Sequence, residues 1–216
     1  MIDRLEKIFK VLPPCQVFAD IGCDHGYLAL AMIEGGKCEK AIISDISEKC
    51  LKKAENLLEV YIKKDLVKSV VSNGFDKVEV CDVALIAGMG GEEICDILTR
   101  ANTQQKLPEK LVIQPMKNCD KARVVAVSLG YKIDYDKVFK SAGKYYNLIV
   151  LTKGVDHLTE DEIEFGRDNV RLVHDDFKDM LMEEKLKFKQ LLNEQNITDA
   201  GKLSLENKIK KLEKYV

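Results

Sequence analysis

The chain has 216 residues, 46% of them hydrophobic and 32% charged, and its 34 Lys and Arg against 36 Asp and Glu give a net charge of −2. That length suits one well-buried domain plus an appendage. The near-neutral balance excludes a generally basic nucleic-acid binder, so any RNA contact has to come from a local patch.

Residues 2–11 place Ile2, Leu5, Ile8 and Phe9 on one helical face and Arg4, Lys7 and Lys10 on the other. Those cations read either as a solvated face or as phosphate contacts, and Leu12-Pro13-Pro14 ends the helix. The stretch Phe18 to Leu28 then reads as a strand, a loop bracketed by Gly22 and Gly26, and a helix with Tyr27, Leu28, Leu30, Ala31 and Ile33 on its apolar face. A strand, a glycine loop and a helix start form a cradle for a nucleotide-like cofactor. The spacing D-x-G-x-x-x-G is not the G-x-G-x-x-G of a dinucleotide site. Asp20, two residues before Gly22, also disfavours a pyrophosphate and suits the cationic S-adenosylmethionine.

Ala41 to Asp45 is a second strand ending in an acid, placed where a doubly wound fold holds ribose hydroxyls. Ser47 is suited to cap the next helix, which carries Leu51, Ala54, Leu57, Leu58 and Tyr61. Val67 to Val71 is a third strand closed by Ser72-Asn73-Gly74, where Asn73 is either an adenine contact or an ordinary Asn-Gly turn. Val83 to Ala87 runs into Gly88, Gly90 and Gly91 before a helix with Ile94, Ile97 and Leu98, which repeats the first strand–glycine–helix pattern and opens a crevice for a flat base. Leu111 to Pro115 is a further strand, Asn118 is expected to cap a helix running to Leu129, and Tyr131–Phe139 with Tyr145–Thr152 form a hairpin through Ser141-Ala142-Gly143. This order predicts an α/β fold with a mainly parallel sheet and an antiparallel edge, the architecture of class I methyltransferases.

From Leu158 the apolar strands give way to charged helices. Thr159 and Glu162 form a capping box, Gly166 is a break, and Phe177, Leu181, Leu186, Leu191 and Leu192 make an apolar stripe. After Asn196 to Gly201 a last helix carries Leu203, Leu205, Ile209 and Leu212. The predicted division is residues 1–157 as the methyltransferase domain and 158–216 as a helical coiled-coil region.

Met1 leads straight into charged residues and no apolar run approaches the ~20 residues that span a bilayer, which implies a cytoplasmic protein. The seven cysteines lie singly, as reduced thiols, and Cys23 reads as a small filler in the loop. No metal site is expected, since His25, His157 and His174 are far apart.

Taken together, D-I-G-C-D-H-G-Y-L at 20–28, I-A-G-M-G-G at 86–91, Q-P at 114–115, A-G-K-Y-Y at 142–146 and the charged tail resemble the bacterial TrmK-type tRNA methyltransferases. The resemblance implies methylation of N1 of adenine 22 in tRNA by S-adenosylmethionine, with a class I domain and a carboxyl-terminal coiled coil. It implies that Asp20, Gly22, Asp24, His25 and Gly26 surround the methionine end, that Asp45 holds the ribose, and that Asn73 and Gly74 hold the adenine. Ala87, Gly88, Met89 and Gly90 would form the crevice between cofactor and base, with Tyr27 stacking on the base and Gly91, Gln114 and Pro115 on the substrate side. Asp24 is the candidate carboxylate beside the methylated ring, and Tyr27 is grouped with it as catalytic. The family's Q-P-N is here Gln114-Pro115-Met116, with Asn118 two residues later. Arg4, Lys7, Lys10, Lys117, Lys121, Lys140 and Lys144 are the expected tRNA patch, and the chain is expected to be a monomer. A methyltransferase acting on a small molecule or protein would share the cofactor residues, and a non-catalytic RNA-binding scaffold would share the helical tail.

Overall fold

The computed structural model describes residues 3–194 and 197–216. Met1, Ile2 and Asn196, named above, lie outside them.

Helix α1 (Asp3–Val11) precedes β1 (Cys15–Ile21), α2 (Tyr27–Glu34), β2 (Cys38–Asp45), α3 (Glu48–Lys63) and β3 (Val67–Val71). Then follow β4 (Val83–Met89), α4 (Gly91–Thr103), β5 (Lys110–Pro115), α5 (Cys119–Ser128) and the hairpin β6 (Tyr131–Ser141) and β7 (Lys144–Lys153). The seven strands form one sheet in the order β3-β2-β1-β4-β5-β7-β6, with β7 antiparallel to both of its neighbours and the other pairings parallel. The predicted parallel sheet with one antiparallel edge is thus present.

Side chains alternate across the sheet, which sorts the apolar residues into two layers. Ala19, Ile21, Ala84, Ile86, Leu111 and Ile113 meet Ile94, Ile97 and Leu98 of α4 and Ala122 and Ala126 of α5. Phe18, Val83, Leu85 and Val112 face Ile8 of α1, Leu28, Ala29 and Met32 of α2, and Leu51, Ala54 and Leu58 of α3. Because β1 connects outward to β2 while β4 lies on its other side, the chain reverses winding between β1 and β4 and their carboxyl ends diverge.

Two local expectations are corrected. The buried face of α2 is Leu28, Ala29 and Met32, whereas Tyr27 is 47% exposed; nearly every α2 residue is apolar, so its periodicity carries little direction. Asn118 sits at the N-cap of α5 with φ 52° and no side-chain cap bond; its carbonyl accepts from Ala122 N at 3.3 Å and lies close under Gly91 of α4. Ser47 does cap α3, accepting from Cys50 N at 3.3 Å, and the Thr159–Glu162 capping box is formed. The hairpin turns at Ala142 (φ 47°) and Gly143 (φ 75°), the left-handed pair that suits a two-residue connection.

The remaining helices are α6 (Glu160–Phe165), α7 (Arg167–Leu172), α8 (Asp175–Leu192) and α9 (Asp199–Leu212). They cover β6, the edge of the sheet. Four backbone N–H groups of that strand donate to side chains of this region: Ile133 to Asp156 (2.9 Å), Asp136 to Asp168 (2.8 Å), Val138 to Asn169 (2.9 Å) and Lys140 to Asp176 (3.1 Å). Beneath them, buried Arg123 of α5 clasps buried Asp136 at 2.7 and 2.9 Å and also donates to the Ile163 carbonyl. Gly166, at φ 94°, passes so close that a Cβ there would lie 2.7 Å from Asp136 and 2.8 Å from Arg123.

Helices α8 and α9 run antiparallel, the start of one beside the end of the other, with Phe177, Leu181, Leu212 and Tyr215 closing on Val138 and Phe165. Farther out the expected stripe is not buried: Leu186 is 60% and Leu203 61% exposed. Among the described residues no helix is long and apolar enough to cross a membrane.

Candidate active site

The divergence of β1 and β4 opens a cleft of about 700 Å³ at the carboxyl ends of β1, β2 and β4. The chain leaves β1 through Gly22 (φ 73°), whose N–H donates to the Ser44 carbonyl at 2.7 Å, and continues through Asp24 (φ 45°) to Gly26 (φ 72°). A Cβ on Gly22 would fall 2.0 Å from the Met89 methyl, so the tip of that side chain lies over the glycine. Opposite, Gly88 (φ 79°) interrupts the β4–β5 register as a bulge, after which Met89 pairs again with Pro115.

Asp20 is 5% exposed at the head of this cleft. Burial pushes its carboxyl up to about 7; the Ala29 N–H pulls the other way, and neighbouring Asp45 adds to the rise. Asp24 lies at the rim. Its partial burial would raise it, but Lys53 at 3.1 Å and the His25 ring nitrogen at 2.7 Å outweigh that and hold it below the usual carboxylate range. Asp45 accepts from Ser47 N at 2.8 Å and from Asp24 N at 3.4 Å, which fixes both carboxylate oxygens at the end of β2. The Asn73 amide oxygen is engaged by Arg100 at 2.8 Å, leaving its NH₂ as the donor that side chain can offer. His25 and Tyr27 stack, ring centroids 5.5 Å apart and planes within 4°. Burial pushes the Cys23 thiol far above its ordinary range, consistent with a filler rather than a nucleophile.

The structure brings together Asp20, Gly22, Asp24, His25 and Tyr27 from the first motif, Asp45, Asn73 and Gly74 from the next two strand ends, and Ala87, Gly88 and Met89 from the second motif. Several other residues lie off the cleft lining. Gly26 lies against α3, where a Cβ would be 2.9 Å from Leu58, and Gly91 is pressed on the backbone of residues 117 and 118, a Cβ there falling 2.2 Å from the Asn118 carbonyl. Gly90 is the N-cap of α4 beside Lys117, and Pro115 is buried at the end of β5. Gln114 is wholly buried and accepts from Arg4 at 3.1 Å. Arg4 therefore turns into the cleft instead of lying on a solvated face. Lys7 donates to the Lys140 carbonyl at 2.8 Å, Lys140 pairs with Glu183 and Lys121 with Glu92. Lys10, Lys117 and Lys144 are exposed.

Sequence reasoning missed Ile46, Ser72, Glu93 and Met116 in the lining. Ile46 had a signal, an apolar residue directly after the acid that ends β2. Met116 stands where the resemblance leads one to expect Asn, and Asn118 does not reach the cleft to replace it. Among the described residues no group of three or more His, Cys, Asp or Glu is placed to hold a metal.

A methyltransferase-domain family matches residues 1–149. The structure of Mycoplasma capricolum TrmK with S-adenosyl-homocysteine superposes with a TM-score of 0.85 at 30% identity, covering 100% of this chain and 97% of that one. The chain belongs to the TrmK-type branch of the methyltransferase-domain family. A Streptococcus pneumoniae protein assigned as a tRNA (m1A22) methyltransferase superposes on this TrmK-type chain with a TM-score of 0.91 at 26% identity, over 100% of this chain and 99% of that one, and has also been solved with S-adenosyl-L-methionine. The tRNA (adenine(22)-N(1))-methyltransferase of Bacillus subtilis is 28% identical over 156 residues, 70% of this chain and 64% of that protein.

Proposed function

We propose that this enzyme transfers the methyl group of S-adenosylmethionine to N1 of adenine 22 in tRNA. The observation that carries the reading is the pairing of a buried, unneutralised carboxylate at Asp20 with a second carboxylate at Asp45, on adjacent strand ends facing the glycine bulge of β4. Among the described residues no cation offsets Asp20. Such a site rejects a pyrophosphate and accepts an ammonium group and a sulfonium. Bound there, S-adenosylmethionine supplies an electrophilic methyl group.

The chain's own residues do the rest. Asp20 takes the donor's amino group, Asp45 accepts from the ribose hydroxyls, and Asn73 with Gly74 borders the adenine. The cleft beside the carboxyl end of β4 receives a flat base turned out of the RNA, and Tyr27 offers its exposed ring as the stacking surface. Asp24, held ionised by Lys53 and His25, balances the positive charge that N1 methylation places on the ring. Holding both reactants in line accounts for most of the acceleration, since methyl transfer to a ring nitrogen needs no covalent enzyme intermediate. Lys10, Lys117 and Lys144 contact tRNA phosphates. The enzyme acts as a cytoplasmic monomer, with residues 1–157 carrying the chemistry and 158–216 the helical region.

Incubation with labelled S-adenosylmethionine and unmodified tRNA transcripts, followed by nucleoside analysis, tests this. The expected product is 1-methyladenosine, lost when adenine 22 is replaced. Donor binding with no label in any tRNA would overturn the substrate assignment.

A further inference from the structure

The charges around the cleft are lopsided. Asp20, Asp24, Asp45 and Glu93 line it, and among the described residues Arg4 is the only Lys or Arg that does. Lys53, the other cation nearby, is spent on Asp24 at 3.1 Å. Arg4 comes from α1, outside both glycine motifs, and is held by neutral groups. Its Nη1 donates to the amide oxygen of wholly buried Gln114 at 3.1 Å, and its guanidinium carbon lies 5.5 Å from the centre of the Tyr146 ring. These contacts orient the guanidinium without neutralising it and leave it further N–H donors. It lies beside Gly88, where a Cβ would be in ordinary contact with Nη1 at 3.8 Å. Arg4 and Asp20 both line the cleft, at its α1 and β1 sides.

The amino-acid end of S-adenosylmethionine is a zwitterion. Asp20 matches its ammonium group, but with Asp24 already paired to Lys53 its carboxylate would still face Asp45 and Glu93 unless a fixed cation met it. We infer that Arg4 binds the α-carboxylate of the methyl donor, completing a dipolar clamp whose negative arm is Asp20; the inference rests on the donor assignment made above. Two other uses of Arg4 are less favourable on physical grounds. A guanidinium beside N1 of the target adenine would oppose the positive charge created by methylation. A tRNA phosphate reaching Arg4 would have to enter among the four carboxylates.

Calorimetric titration of the wild-type protein, Arg4→Gln and Arg4→Lys with S-adenosylmethionine and with its decarboxylated form tests the clamp, because the two donors differ only in the group at issue. The wild type is expected to prefer the intact donor by about 10- to 100-fold, the worth of one hydrogen-bonded charge pair. Arg4→Gln should erase that preference while binding the decarboxylated donor within about 2-fold of wild type, and Arg4→Lys should restore part of it. Equal weakening of both donors by Arg4→Gln would make Arg4 a shaping residue and overturn the inference. So would unchanged affinity for both donors combined with weaker tRNA binding, which would make Arg4 a phosphate contact. A wild-type protein that binds neither donor would overturn the donor assignment itself, a result separable from the other two.

Discussion

The cleft between β1 and β4 and the covered edge at β6 are both crowded with charged side chains, yet they treat charge in opposite ways. At β6, Arg123 and Asp136 are both fully buried and clasp each other, and the strand's N–H groups meet Asp156, Asp168, Asn169 and Asp176. In the cleft, Asp20 is nearly as buried with only a backbone N–H to favour its charge. A buried charge that is fully matched serves the fold; one left without a counter-ion is a cost to the fold that a ligand can offset.

The sharpest way to break this contrast is at the matched end. Arg123→Met strands Asp136 without its partner and should destabilise the protein by about 3–5 kcal/mol, read as a lower denaturant midpoint. Donor affinity per folded molecule should stay unchanged, and adding Asp136→Leu should recover much of the loss. A large fall in donor affinity would mean that the two regions are not separable.

At the unmatched end the same logic reverses sign. The carboxyl of Asp20 sits at about 7 in the folded protein, above its unfolded range near 4, so its contribution to stability is present in acid and is lost as pH rises through about 7. Asp20→Asn, neutral throughout, should stabilise the donor-free protein above that pH by about 2–4 kcal/mol. It should also weaken donor binding roughly 10- to 100-fold, while wild-type affinity climbs between about pH 6 and 8. Thermal unfolding and titration at pH 5 and 8 check both halves. A variant less stable than wild type at pH 8 would contradict the account.

Tyr27 tests the rim. Tyr27→Ala should lower single-turnover methylation by about 10-fold or more, the worth of one stacked base, with donor affinity unchanged, and Tyr27→Phe should be close to wild type. If the Phe variant is as impaired as Ala, stacking is not the role. The smallest effect is expected at Lys117, where Ala should reduce the salt dependence of log affinity for tRNA by about 0.7–0.9 with little change in turnover. A salt dependence identical to that of the wild type would remove Lys117 from the phosphate contacts.

Much of the fold was legible because it is written locally. Gly22, the Asn73-Gly74 turn and Gly88 mark the ends of β1, β3 and β4 by residue type alone, and those ends line the cleft once the sheet is wound. Arg4 illustrates what was not legible: a cation on an amphipathic helix reads as solvated, and its inward turn depends on Gln114, 110 residues away. Asp168 and Asn169 likewise read as ordinary polar helix residues, because their partners are backbone N–H groups of a distant strand, and Arg123 does so because its partner is the buried side chain of Asp136 on that strand. Gly91 misled for the opposite reason, since its small size serves a close backbone approach under α4 and not an open crevice.

The cover on β6 also sets an order of events during synthesis. The strand ends at Ser141, whereas the side chains that occupy its outer N–H groups extend to Asp176. At ~5–20 residues per second the ribosome needs about 2–7 s to deliver them. For that interval the nascent sheet carries an open pairing edge, a template for another nascent chain on the same message. The side chains that later close the edge thus act as a cover built into the sequence, arriving after the hairpin and ending the vulnerability that it creates.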